Sequence, residues 1–131
     1  CLSRGLGDVY KRQVVIRGDE VLLITRGREP WKGMLAFPGG FVDKGEDPED
    51  SVIRELKEEC GIDGSVVKIL CVRGKPTRDP RGHIVSLAYL VSADGEPTAG
   101  DDAASASWYK ISEVEEMAGD HLSILNQVNQ F

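Results

Sequence analysis

The sequence predicts a single α/β or α+β domain in which β-strands precede and follow one acidic helix. Its 131 residues are 40% hydrophobic and 29% charged, as in an ordinary soluble domain with one core. Residues 47–61 combine the start and stop signals of a short helix. Runs rich in valine, isoleucine and leucine lie on both sides of that helix.

The first thirteen residues, CLSRGLGDVYKRQ, are unlike the start of a domain. They show no initial methionine, no signal-peptide pattern and no period that would bury one face. Residues 8–13, DVYKRQ, resemble the translation of a transposon-end adapter used in sequencing libraries. We therefore predict that residues 1–13 are a non-native segment, with a native basic tail as the alternative, and that the domain comprises residues 14–131. Part of the native first strand is then expected to be missing.

The amino-terminal half should contain a hairpin and a basic loop. Residues 26–34, RGREPWKGM, form that loop, and Trp31 is either a partly buried anchor or a base-stacking side chain. Gly39 and Gly40 allow a close approach of the backbone. The predicted strands of this half are residues 14–16, 21–25 and 35–37.

The acidic helix has clear boundaries and a clear buried face. Asp47 can cap its free amides, Pro48 takes the first helical position, and Gly61 ends it. At about 100° per residue, four apolar side chains fall on one arc, which we expect to be buried: Val52, Ile53, Leu56 and Cys60.

Three carboxylates of the helix, Glu55, Glu58 and Glu59, fall on a neighbouring arc and should converge at the rim of the core. Like charges at this spacing repel, and more strongly when partly desolvated, so a compensating cation is expected. Mg²⁺ or Mn²⁺ suits carboxylate oxygens, whereas Zn²⁺ would favour His or Cys. Arg54 can hold Glu58 by a charge-assisted hydrogen bond. The alternative is a solvated acidic face that Lys57 partly neutralises.

Residues 40–62, GFVDKGEDPEDSVIRELKEECGI, resemble a complete Nudix box. The resemblance implies a Nudix-type α/β/α sandwich with a mixed sheet, the box helix on one side and the carboxy-terminal helix on the other. It also implies Mg²⁺-dependent (or Mn²⁺-dependent) hydrolysis of a nucleoside diphosphate linked to another moiety. The positions that match the box are Gly40, Glu46, Arg54, Glu55, Leu56, Glu58, Glu59, Gly61 and Ile62.

The resemblance assigns roles to these residues. The Gly40 carbonyl, Glu55, Glu58 and Glu59 would be the metal ligands, and the catalytic residues would be Glu58, Glu55 and Arg54. Glu58 or Glu55 would accept the proton of the attacking water, while bound ions neutralise the diphosphate. Glu46 would close the loop or bind an outer-shell water.

Basic residues outside the box are candidates for substrate phosphates. In Nudix hydrolases arginines often lie near substrate at the place of Arg26 and Arg28, although a solvated loop is the alternative. In the exposed loop 75–83, KPTRDPRGH, Arg81 and His83 could bind the diphosphate or terminal ribose phosphate. Arg78 could do the same, or could form a loop salt bridge or subunit contact.

The segment RDPRGHIVSLAYL and the position of Pro76 resemble ADP-ribose pyrophosphatases, so ADP-ribose is the expected substrate. An alternative within the class is an oxidised nucleoside triphosphate, a dinucleoside polyphosphate or a nucleotide sugar. A non-catalytic ADP-ribose-binding regulator is the third hypothesis. The intact box and the lack of a helix-turn-helix extension favour an enzyme over that regulator.

The carboxy-terminal half should contain three strands and two helices. A capping box of Ser112 and Glu115 predicts the first helix, and Asp120 can cap the second. The apolar side of the last helix comprises Leu122, Leu125, Val128 and Asn129. Some ADP-ribose pyrophosphatases place a catalytic glutamate far from the box, for which the candidates are Asp101, Asp102, Glu113, Glu115 and Glu116. The predicted strands are residues 65–74, 84–93 and 107–110.

Charge and cysteine content limit the partners. A net charge of −6 argues against nucleic acid, and no apolar run approaches a membrane span. Three cysteines without metal-ligand spacing fit a reducing, cytoplasmic setting, with Cys60 and Cys71 as buried thiols. A nucleotide is the expected small-molecule partner, and the resemblance implies a homodimer.

Overall fold

The computed structural model describes residues 8–29, 31–76, 80, 82–97, 103–119 and 121–128. Two α-helices occur in these ranges, α1 (Pro48–Cys60) and α2 (His121–Val128), with a short 3-10 helix at Ile111–Glu113. The strands are β1 (Asp8–Arg17), β2 (Glu20–Arg26), β3 (Leu35–Ala36), β4 (Gly39–Phe41), β5 (Gly64–Arg73), β6 (Ile84–Ala93) and β7 (Ala103–Lys110).

All of these strands belong to one mixed sheet, in the order β3-β2-β1-β6-β5. Strand β4 pairs with β1, and β7 pairs with β2. The central pair β1–β6 is parallel, whereas β1–β2, β1–β4 and β5–β6 are antiparallel. The predicted mixed sheet and hairpin are therefore confirmed. Among the described residues, we find no helix with the length and apolar character needed to cross a membrane.

The two faces of the sheet carry separate layers of the core. Successive residues of a strand point to opposite faces, so adjacent valines of β1 serve different layers. Val15 packs with Val52 and Leu56 of α1, while Val14 packs with Ile124 and Leu125 of α2. One helix on each face of the sheet gives the expected α/β/α sandwich.

Helix α1 has the predicted ends. Asp47 accepts a hydrogen bond from Glu49 N at 2.9 Å, and Gly61, at a φ of 70°, donates its amide to Lys57 O. Val52, Leu56 and Cys60 are fully buried and Ile53 is half-buried, as their arc predicts. The predicted arc omitted Ser51, which is also buried.

Strand β1 is longer than predicted, because it includes residues 8–13, which the prediction left outside the domain. These residues lie in the sheet, where residues 8–16 pair with β6 and residues 10–12 pair with β4. The sequence did not reveal this because Lys11 and Gln13 break the apolar pattern, yet both are buried and find partners on α1. The non-native origin of residues 1–13 stays a prediction, and residues 1–7 lie outside the described ranges.

The helix predicted from Ser112 and Glu115 is wrong. Only the three-residue 3-10 helix forms there, without a side-chain cap. The chain then leaves helical geometry, which buries Met117 and Ala118 and lets Ala118 N donate to Leu35 O at 2.8 Å. In α2, Leu125 is buried and Leu122 and Val128 are half-buried, whereas Asp120 and Asn129 lie outside the described residues.

Candidate active site

The two glycines of β4 bring the backbone against both β1 and α1. A Cβ on Gly39 would lie 2.4 Å from Lys11 O, and one on Gly40 would lie 2.2 Å from Glu55 Oε2. No side chain fits at either position without movement of its neighbours. At Gly39 the obstacle is a main-chain atom, so close packing requires glycine there, whereas a side chain at Gly40 would have to displace the Glu55 carboxylate, which lies directly against it.

Glu55 has a cationic partner that the sequence did not suggest. Lys11 lies opposite Gly40 in the β1–β4 pair, and its ammonium contacts Glu55 Oε1 at 2.5 Å and Phe41 O at 3.2 Å. Lys11 is fully buried, while the side chain of Glu55 is 19% exposed. Because residues 1–13 were left out of the predicted domain, the contact between Lys11 and Glu55 was not predicted.

Arg54 joins the box loop to the box helix. Its Nε and Nη2 atoms donate to Glu46 Oε2 at 2.9 and 2.8 Å, and Nη1 donates to Glu58 Oε1 at 2.5 Å. The predicted hydrogen bond between Arg54 and Glu58 is thus present. Glu46 also accepts the amide of Asp43, so it closes the loop that precedes α1.

This network favours the charged forms of Glu46 and Arg54. Burial acts to raise the pKa of Glu46, but hydrogen bonds from Arg54 and from the Asp43 amide bring that pKa below its ordinary value. Hydrogen bonds to Glu46 and Glu58 raise the pKa of Arg54. The Arg54 guanidinium therefore stays paired with the Glu46 carboxylate at neutral pH, and its contact with Glu58 Oε1 fixes the orientation of that side chain.

The three helix carboxylates do not converge as expected. In the part of the chain that the structure describes, no group of three or more His, Cys, Asp or Glu side chains is placed to hold a metal ion. Glu55 turns toward Lys11, Glu58 turns toward Arg54, and half-buried Glu59 has its Oε1 atom buried. The physical reason is that two protein cations already neutralise two of the carboxylates. In this arrangement the side chains do not fit a divalent ion, and the ligand set stays a prediction.

The basic loop between β2 and β3 is closed by its backbone. Arg26 N donates to Met34 O at 2.9 Å, and Gly33 N donates to Arg26 O at 2.8 Å. Half-buried Trp31 adopts a φ of 61°, and its ring lies 3.2 Å from the position of a Cβ on Gly119. The loop is therefore anchored at Trp31. Arg26 is half-buried and Arg28 is exposed, and their contact with substrate stays a prediction.

The remaining candidates lie on two further loops. Exposed His83 is hydrogen-bonded through Nε2 to Gly74 O at 3.1 Å, which ties together the ends of the loop after β5. Glu113, Glu115 and Glu116 line a cavity of about 410 Å³ beside Gly33. Five residues fall outside the described ranges: the candidates Arg78, Arg81, Asp101 and Asp102, and Asp79, the neighbour of Arg78.

Cys60 and Cys71 were predicted to be buried thiols, and the prediction holds fully for Cys60 and in part for Cys71. Cys60 is fully buried and Cys71 is half-buried, and both are free thiols. Burial raises the pKa of the Cys60 thiol to about 12, with a smaller contribution from Glu59. The Cys60 side chain lies within the apolar layer beneath α1.

Comparison with known proteins identifies the family of this chain. The NUDIX domain model matches residues 11–128. An ADP-ribose pyrophosphatase of Methanocaldococcus jannaschii is 41% identical over 113 residues, which cover 86% of this chain and 67% of that protein. The ADPR responsive transcriptional repressor NtrR of Acinetobacter baylyi is 31% identical over 82% of this chain, which spans only 46% of the repressor.

A solved structure extends the comparison to the fold. The NUDIX domain of Shewanella oneidensis NrtR, crystallised with ADP ribose, superposes with a TM-score of 0.85 at 25% identity. The match covers 95% of this chain and 87% of that one. The two chains therefore share the same overall fold. This chain belongs to the NUDIX family, and we classify it as a Nudix pyrophosphohydrolase.

Proposed function

We propose that this chain hydrolyses ADP-ribose to AMP and ribose 5-phosphate in a reaction that depends on Mg²⁺ or Mn²⁺. The observation that supports the substrate is the 41% identity to an ADP-ribose pyrophosphatase across most of the chain. Every defining position of the box is also present, on β4, the following loop, α1 and the two residues after α1. A cytoplasmic homodimer, expected from the sequence, completes the proposal.

The chemistry is the hydrolysis of a phosphoric anhydride. Water attacks one phosphorus atom, the bridging P–O bond breaks, and each product keeps one phosphate. Glu58 or Glu55 accepts a proton of that water, and Arg54 holds Glu58 in a fixed orientation. Arg26, Arg28, Arg81 and His83 are the proposed partners of the substrate phosphates, whose negative charge must be neutralised for attack to occur.

The proposed metal ligands are Gly40, Glu55, Glu58 and Glu59. A divalent ion bound there would supply positive charge to the diphosphate and acidify a bound water. Because Glu55 and Glu58 are each paired with a protein cation in this structure, the side chains must rearrange before they can bind an ion.

A nucleotide panel tests the proposal. Purified protein with Mg²⁺ is given ADP-ribose, an oxidised nucleoside triphosphate, a dinucleoside polyphosphate and a nucleotide sugar, and products are separated by ion-exchange chromatography. We expect ADP-ribose to turn over fastest and chelator to abolish turnover. Glu58→Gln should lower kcat by about a hundredfold or more, since it removes a proton acceptor. Faster turnover of another substrate would replace ADP-ribose in the proposal.

The matched control is Glu49→Gln, the same substitution in the exposed first turn of the same helix. We expect the kcat of this variant to stay close to that of the parent. An equal loss of activity in both variants would contradict a specific role for Glu58.

A second candidate is an ADP-ribose-binding regulator, because the Acinetobacter relative is named as an ADPR responsive repressor. Calorimetry separates the two functions. Tight binding of ADP-ribose without turnover in the presence of Mg²⁺ or Mn²⁺ would favour the regulator, whereas release of AMP favours the enzyme.

A further inference from the structure

The environment of the Lys11 ammonium is that of a bound cation. It contacts one carboxylate oxygen, Glu55 Oε1, and one main-chain oxygen, the carbonyl oxygen of Phe41, the residue after Gly40. Oxygen atoms of these two kinds are also what hard divalent ions prefer. Lys11 is fully buried, so a side chain of the protein supplies positive charge at the point where Gly40 meets Glu55.

The Lys11 ammonium would repel a second cation at this point. A divalent ion that bound Glu55 would face the Lys11 ammonium at short range, and like charges at such distances repel strongly where water is excluded. Displacement of Lys11 from Glu55 would instead leave a buried ammonium without its carboxylate, which is strongly destabilising. Either route weakens binding of the ion.

We propose that Lys11 is a built-in competitor of the divalent ion, which holds Glu55 in an ion pair and lowers the affinity of the box for Mg²⁺ and Mn²⁺. The inference rests on the proposed function only in taking Glu55 as a metal ligand. It concerns this chain whatever the origin of residues 1–13. A neutral residue at position 11 removes the competing charge, so that Glu55 can bind the ion.

Direct Mn²⁺ binding tests the proposal without any turnover. Free Mn²⁺ is measured by electron paramagnetic resonance during titration of the parent chain, Lys11→Met and Lys11→Gln. We expect both neutral variants to bind Mn²⁺ about tenfold or more tightly, because they remove a buried like charge. Lys11→Arg keeps the charge and should bind as weakly as the parent. Equal or weaker binding by folded neutral variants overturns the proposal.

Two further measurements keep the result interpretable. Lys110→Met removes the same charge from an exposed position on β7, and it should leave Mn²⁺ affinity unchanged. An equal gain in that control would assign the effect to net charge and overturn the proposal. Lys11→Gln can still hydrogen-bond Glu55 and Phe41 O, so it guards against unfolding of Lys11→Met, and its Tm should rise more with Mn²⁺ than that of the parent.

The outcome is separable from that of the proposed function. If no variant hydrolyses ADP-ribose at any Mn²⁺ concentration, the substrate proposal fails, while tighter binding of Mn²⁺ by Lys11→Gln still supports the role of Lys11. If ADP-ribose is hydrolysed but the parent and Lys11→Gln have the same Mn²⁺ affinity, the function stands and the competition is disproved.

Discussion

The carboxylate of Glu55 lies against Gly40, so closely that a single methyl group on this glycine would come within 2.2 Å of Glu55 Oε2. This contact joins strand β4 to helix α1. It also places a proposed catalytic carboxylate beside a proposed carbonyl ligand, 15 residues away in the sequence. The identity of residue 40 therefore controls both packing and the orientation of Glu55.

Gly40→Ala should destabilise the protein and impair activity together. Overpacking of a closely fitted position costs about 1–3 kcal/mol, because either Glu55 or the backbone of β4 must shift. Urea unfolding should show a lower midpoint with little change in slope, and kcat for ADP-ribose should fall. An alanine variant as stable and as active as the parent would disprove the close contact.

Gly74→Ala is the matched control. Within the described part of the chain, a Cβ on Gly74 meets Val85 side-chain atoms alone, at 3.8 and 4.0 Å, which is ordinary van der Waals distance. We expect the free energy of unfolding of this variant to stay within about 0.5 kcal/mol of the parent.

Arg54→Lys should lower activity with little effect on stability. The guanidinium contacts Glu46 through two nitrogens and Glu58 through a third, a geometry that a single ammonium cannot reproduce. Loss of the contact between Arg54 and Glu58 should leave Glu58 free to move. We expect kcat to fall by about tenfold or more, as for a misplaced catalytic group. The free energy of unfolding should change by less than about 1 kcal/mol, since Arg54 is partly exposed.

Lys57→Met tests whether any charge on this helix has the same effect. Among the described residues, Lys57 forms its one ion pair with exposed Asp63, at 3.3 Å, so its removal should leave kcat close to that of the parent. Parallel losses of kcat in both variants would indicate a general electrostatic effect and not the orientation of Glu58.

The parts of the fold that depend on local signals were predictable. The ends of α1 follow from Asp47, Pro48 and Gly61, whose effects act within one helical turn. Its buried face follows from periodicity. The failed helix at Ser112 shows the limit of such signals, because burial of Met117 and the hydrogen bond from Ala118 to Leu35 override the local cap.

The parts that depend on distant polar partners could not be predicted. Lys11 and Gln13 read as surface residues, yet each is buried against a partner on α1, 44 and 39 residues away in the chain respectively. Helical spacing placed Glu55 and Glu58 on one side of α1, but their side chains turn toward Lys11 and Arg54. Helical periodicity predicts which side of the helix a carboxylate residue occupies. The orientation of its side chain depends on the cation with which it pairs.

Leu56→Ala should be strongly destabilising because Leu56 is fully buried between α1 and the sheet. Removal of its side chain should cost about 2–5 kcal/mol, as for other buried leucines. Ile53→Ala, at a half-buried position of the same helix, should cost less. Urea unfolding monitored by circular dichroism gives both values, and a larger cost for Ile53→Ala would contradict the orientation of α1.

Cys60 should be unreactive in the folded protein and should weaken the fold at alkaline pH. Burial raises the pKa of its thiol to about 12, whereas an unfolded thiol ionises near pH 8.5, as model peptides do. Between these values the folded state binds more protons than the unfolded state, so this contribution is fully present below about pH 8.5 and is lost as the pH rises toward 12.

A thiol-specific reagent measures the effect in a variant in which Cys1 and Cys71 are serine. At pH 8 the folded variant should react slowly at Cys60, and addition of urea to the unfolding midpoint should accelerate labelling sharply. The free energy of unfolding should decline from pH 8.5 to 10, with Cys60→Ala in the same background removing this part of the decline. Rapid labelling of the folded variant at pH 8 would show that Cys60 is reached without unfolding and that α1 does not seal the layer beneath it.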